Sequence, residues 1–199
     1  MTNSVLGVRN IQHTNGTNSY SIAADGTITT NKLIIPPAGG IIQMQYSQYT
    51  STTTQAVSAN TDTVMDFISV NITPVSTSSK IHIQTHIFYE HGENNNNSWN
   101  HVWFFYRDST KLAHPAAGSR QCGISMGTLT YYGDDNGSTA ENARYDYFDE
   151  PNTTSQITYK IGYRTHVAET LYINRTVADA DSNGYERGVS MISVTEIAG

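Results

Sequence analysis

Lys80-Ile-His-Ile-Gln-Thr-His-Ile-Phe-Tyr89 places isoleucine at 81, 83 and 87, with His82, Gln84, His86 and Phe88 between them. Successive strand side chains point to opposite faces, so the isoleucines form one apolar face and the other four a polar-aromatic one. The run predicts a β-strand with one face on a core and a second face that is not left bare to solvent. Shortly after it, Val102-Trp-Phe-Phe105 is apolar at every position. A strand greasy on both faces must be covered on both. The expectation is that its own core takes one face and another copy of the chain the other, with Phe88, Trp103 and Phe105 at the subunit interface.

Outward from these two runs the same period of two continues, interrupted by turn-forming clusters. Strands are predicted over Ile41 to Thr50, Thr63 to Ile72, Lys80 to Tyr89, Asn100 to Arg107, Cys122 to Tyr132, Arg144 to Phe148, Gln156 to Tyr163, Thr170 to Asn174 and Val189 to Ile197. No stretch shows apolar residues at helical spacing behind a capping box, and thirteen tyrosines suit pleated surfaces. About nine strands with polar loops predict an all-β, two-sheet antiparallel jelly roll, which wraps its edges around one core. The breakers include Asn94 to Asn97, Asp134-Asp-Asn-Gly137 and Asp181-Ser-Asn-Gly184. Pro36-Pro37-Ala-Gly-Gly40 forbids helix and ends pairing, so it divides an N-terminal arm, residues 1–37, from a head domain, residues 38–199. The arm itself, Val8 to Thr17 and then Ser21 to Thr29 around the Asp25-Gly26 turn, is a short hairpin-like piece without a core of its own. Such pieces need a host surface.

Composition narrows the function. Charged residues are only 14% of the chain and the net charge is −6, with eleven scattered Lys and Arg. Nucleic acid is therefore not expected as a partner, because counterion release needs clustered cations. Cys122 is the single cysteine, so no disulfide forms within the chain. No apolar run approaches the length of a membrane span, and no signal-peptide pattern opens the chain, so membrane insertion is not expected.

Catalytic constellations are weak. His82 and His86 lie four apart on a strand, about 13 Å between Cβ atoms, too far to bind one zinc with His101. Asp134 to Gly137 lacks the calcium-loop spacing and its terminal glutamate. Glu141, Asp146, Asp149 and Glu150 show no pair fixed at a glycosidase separation. Gly123-Ile-Ser-Met-Gly127 mimics a nucleophile elbow, but no helix follows it. No enzyme activity, metal or cofactor is expected. Carbohydrate recognition has better material: aromatic platforms flanked by amides and carboxylates, at Asn96, Trp99, Tyr131, Tyr132, Asp134 and Asn136, although turn chemistry and a sealed barrel end account for the same residues.

Asn10-Ile-Gln-His-Thr-x-Gly-Thr17 with the following Asp-Gly turn resembles the opening of virion surface proteins of marine tailed bacteriophages. Ile72 to Lys80, Tyr147 to Lys160 and Ile192 to Ala198 resemble the jelly-roll modules of phage fibre and virion surface proteins, so the resemblance covers nearly the whole chain. It implies a homotrimer with a head similar to those of tumour necrosis factor and complement C1q, located on the virion after assembly in the host cytoplasm. The arm, through Val8, Asn10, Ile11, Gln12, His13, Ile22 and Ile28, is then expected to dock on a capsid, tail or adaptor protein. Two roles follow: a structural decoration or cement protein of the shell, or a tail-fibre or spike tip whose loops bind a host surface glycan or protein. The lack of a heptad stalk favours the first.

Overall fold

The computed structural model describes residues 10–12, 18–30, 36–92, 100–127 and 137–199. Its backbone divides into two compact units, Met1–Pro37 and Ala38–Gly199. In the first, where a hairpin-like arm is expected, β1 (Asn10–Gln12), β2 (Asn18–Ile22) and β3 (Ile28–Thr30) form a three-stranded antiparallel sheet in the order β1-β2-β3. The β2–β3 turn follows from its residues: Gly26 has φ +84°, which glycine adopts freely, and the Asp25 carboxylate accepts the Thr27 N–H at 2.9 Å.

The second unit contains β4 (Ile41–Tyr49), β5 (Thr53–Val57), β6 (Thr63–Ile72), β7 (Lys80–His91), β8 (His101–Arg107), β9 (Thr110–Leu112), β10 (Glu141–Asp149), β11 (Ile157–Thr165), β12 (Glu169–Ile173) and β13 (Ser190–Ile197). Among the described residues there is no helix, and every strand pairing is antiparallel. One sheet centres on β7, which pairs β10 along one side and, along the other, first β13 and then β12. β4 extends it beyond β13 and β5 beyond β12. The second sheet runs β6-β11-β8-β9. From β5 to β12 the chain crosses between the sheets at every step except β8 to β9, the wiring of a jelly-roll-like β-sandwich.

The core is what the period-two pattern dictates. Ile81, Ile83, Ile87, Ile192 and Val194 of one sheet meet Met65, Ile68, Tyr159 and Ile161 of the other, all buried. Val102 to Phe105 departs from expectation. Trp103, Phe104 and Phe105 are each 0% exposed within a single chain. Trp103 and Phe105 belong to the cluster between the sheets. Phe104, on the other face, lies on Gly162, its register partner in β11, where any Cβ would collide with the ring. Lys111 Nζ stands 3.9 Å from the ring centroid and is held by Asp62 at 3.1 Å, while Tyr106 packs edge-on. Trp103 and Phe105 are therefore core residues, not a surplus apolar face. A glycine opposite a phenylalanine and a pinned lysine stem do the covering assigned above to a second copy, and hydropathy registers neither.

The predicted strand over Cys122 to Tyr132 is also corrected in its described part. Residues 122–127 make only a bridge, with the Trp103 N–H donating to the Ser125 carbonyl at 2.7 Å and the Ile124 N–H to the Trp103 carbonyl at 2.8 Å. Two strands were not anticipated: β5, a Thr- and Gln-rich run that acquires its form by pairing with β12, and the three-residue β9.

Candidate functional site

The outer face of β4, β13, β7 and β10 is built by register. His86 of β7 lies between Met191 of β13 and Arg144 of β10, Gln84 between Ser193 and Asp146, and His82 between Thr195 and Phe148. β4 adds Gln48, Tyr46 and Met44 beside Met191, Ser193 and Thr195. Among the described residues eight large apolar side chains are well exposed, and four of them stand here: Ile41 at 68%, Tyr46 at 67%, Phe148 at 54% and Met44 at 53%. Such clustering, unlike scattered surface leucines, makes this face the candidate contact surface.

The polar side chains on this face bond to one another. Lys80 pairs Glu150 at 3.0 Å, and His82 Nε2 lies 3.0 Å from Asp146 while its ring stacks on Phe148 at 4.2 Å and 5°. Arg144 donates its Nε–H to His86 Nδ1 at 2.9 Å. A guanidinium is a donor only, so His86 is neutral in this arrangement, with its proton on Nε2. Desolvation, and after it the Arg144 charge, hold its pKa below the ordinary histidine value.

A second cluster closes one end of the sandwich. Tyr89 and His91 end β7, His101 and Trp103 begin β8, and Tyr163 and Glu169 come from β11 and β12. Trp103 is 4.6 Å from Tyr163 and 5.0 Å from Tyr89 between ring centroids, and His91 is 5.0 Å from His101. The Glu169 carboxylate lies 2.7 Å from His91 Nδ1 and accepts the Tyr163 hydroxyl at 2.5 Å. Gly127 donates its N–H to His101 Nε2 at 3.2 Å and packs so closely on Tyr89 that no side chain fits there. Burial first, and the Glu169 charge after it, push the Tyr89 and Tyr163 hydroxyls well above the usual phenol range. Among the described residues, Tyr89 Oη, His91 Nε2 and Trp103 Nε1 meet no partner in hydrogen-bond geometry.

The predicted site residues scatter. Phe88 stands on the outer face but is half-buried, its ring laid over Gly188. Trp103 and Phe105 lie in the core, so of the three interface candidates only Phe88 shares the face described above. Asn10, Ile11 and Gln12 form β1, Ile22 is half-buried and Ile28 exposed. Val8, His13, Asn96, Trp99, Tyr131, Tyr132, Asp134 and Asn136 lie outside the described residues. His82 and His86 share the outer face, whereas His101 is buried in the end cluster, so the three do not converge. Asp146, Asp149 and Glu150 are each engaged by a different side chain, His82, Arg107 and Lys80. Among the described residues no three His, Cys, Asp or Glu side chains are arranged to hold a metal ion. Sequence reasoning missed Met44, Tyr46 and Phe148. The signal was there in β4, nine residues without one charge in which apolar side chains alternate with Gln43 and Gln45. No protein-family model and no curated protein matches the chain.

Proposed function

We propose that the chain is a non-enzymatic structural protein of a phage particle, a homotrimer whose heads meet through the outer face of β4, β13, β7 and β10 and whose N-terminal unit docks on a capsid or other virion protein in a decoration or cement role. The observation that carries this reading is the outer face itself: Ile41, Met44, Tyr46 and Phe148 are exposed on it, Lys80 pairs Glu150, and Arg144 is bonded to the neutral His86. A surface that carries few charges of each sign can meet another copy with little net repulsion, and burying its apolar rim favours that meeting. In a trimer each contact is heterologous, one part of the face meeting a different part on the next copy, and a rotation that closes makes a ring of three. Three copies also join three docking units to one rigid body, so each needs only a weak contact with the shell.

Light scattering of the full chain tests the assembly. The expected mass is three times 21.9 kDa, and Tyr46→Glu should reduce it to one chain. A monodisperse single chain at high concentration overturns the reading. A second reading is a tail-fibre or spike tip that binds a host glycan or protein. Copy number separates the two: many trimers per particle for decoration, a few per tail for attachment.

A further inference from the structure

We propose that acid opens the contact between copies through His86, whose bond from Arg144 exists only while the imidazole is neutral. The inference deepens the reading above and rests on the outer face being that contact.

The chemistry is local. His86 Nδ1 accepts the Arg144 Nε–H at 2.9 Å, and the guanidinium remains charged at any ordinary pH. A proton placed on Nδ1 removes the acceptor and sets one cation against another. The groups that face His86 make this the dominant effect. From β10 these are Asn142, Arg144 and Asp146; from β13, Met191 with Ser193 on the diagonal; from β7 itself, His82, Gln84 and Phe88. Asp146 is the single carboxylate among them, and it already lies 3.0 Å from His82. Beyond Met191, β4 presents Gln48 and carries no charge. Burial and Arg144 both act to keep His86 deprotonated, with Asn142 opposing them weakly.

In a free head the imidazolium and guanidinium separate into water. Pressed against another copy they are desolvated, and like charges in a low-dielectric contact repel far more strongly. Assembly and protonation at His86 are thus linked: below the pKa of the free head, each pH unit weakens association up to about tenfold per His86, or about a thousandfold for three copies. His82 is set the other way. Its neighbour is a carboxylate, so a proton there breaks no bond and adds no like charge.

Sedimentation velocity of the full chain, titrated from about pH 8 to about pH 5 at constant ionic strength, reads this directly. The expected result is assembly at the upper pH and single chains at the lower, with native circular dichroism throughout. His86→Gln, which keeps an acceptor for Arg144, should remain assembled across the range, and His82→Gln should dissociate like the parent. Assembly of the parent at both ends overturns the switch and leaves the contact standing. Single chains at both ends overturn the contact, and the switch with it. Acid dissociation of His86→Gln, or loss of native dichroism before any change in mass, assigns the effect elsewhere and overturns the switch.

Discussion

Trp103→Ala distinguishes a core indole from an interface one. The side chain is 0% exposed in one chain and is ringed by Tyr163 at 4.6 Å, Tyr89 at 5.0 Å and His101 at 6.5 Å. Burying an indole removes about 200 Å² from water, worth about 5 kcal/mol at about 25 cal/mol per Å². Against this, its Nε1–H meets no acceptor in hydrogen-bond geometry among the described residues, a penalty of about 1–3 kcal/mol that the alanine variant relieves. The net loss is about 3 kcal/mol, consistent with the lower end of the range for large aromatic truncations in cores. For a chain of this size that corresponds to about 6–12 °C in Tm. Trp103→Phe keeps one ring and removes the orphaned donor, so it should lose only about 1 kcal/mol. Urea unfolding followed by far-ultraviolet dichroism gives both values, at several protein concentrations because association adds its own stabilisation. If Trp103→Ala unfolds within about 1 kcal/mol of the parent while the assembled mass falls to one chain, the indole lies between copies and its enclosure within one chain is refuted.

Asp149→Asn should cost about 3 kcal/mol, because the buried carboxylate accepts two bonds from Arg107, at 2.9 and 3.0 Å, and the Tyr159 hydroxyl at 2.7 Å. An unchanged urea midpoint would show that Arg107 simply relaxes into solvent. Asn174 holds φ +61° while donating to the Tyr49 and Ser51 carbonyls and accepting from Ser190. Asn174→Ala should lose about 3–4 kcal/mol, and Asn174→Gly about 1 kcal/mol less, because glycine adopts that φ freely; equal losses would remove backbone strain from the account. Alkaline titration tests the buried tyrosines. Burial raises the hydroxyls of Tyr89, Tyr145, Tyr159 and Tyr163. A folded-state pKa above the unfolded value near 10 means that their contribution to stability is whole below about pH 10 and is lost as pH rises further, since the unfolded chain then releases protons that the folded chain keeps. Tyrosinate absorbance from these four should therefore appear together with loss of β dichroism; their full ionisation in a chain with native dichroism would contradict it.

The all-β class and most of the strands were legible in the chain, because the signal is local: Ile81, Ile83 and Ile87 alternate with polar partners whatever they eventually touch. The Asp25-Gly26 turn was legible for the same reason, since its φ and its capping carboxylate are properties of two adjacent residues. What covers each face was decided elsewhere. Phe104 is sealed by Gly162, distant in sequence, and by a lysine pinned on Asp62, so a run that reads as greasy on both sides needs no partner chain. The same long-range pairing moves the unpartnered apolar surface to β4 and β10, whose Tyr46 and Phe148 become one face only when β13 and β7 lie between them. It likewise gathers Tyr89, His91, Trp103, Tyr163 and Glu169 from four strands. Period and turn chemistry belong to neighbours along the chain, and the sequence determined those. Burial, charge compensation and the pairing of His86 with Arg144 depend on which strands lie side by side, and only the folded sheets decided them.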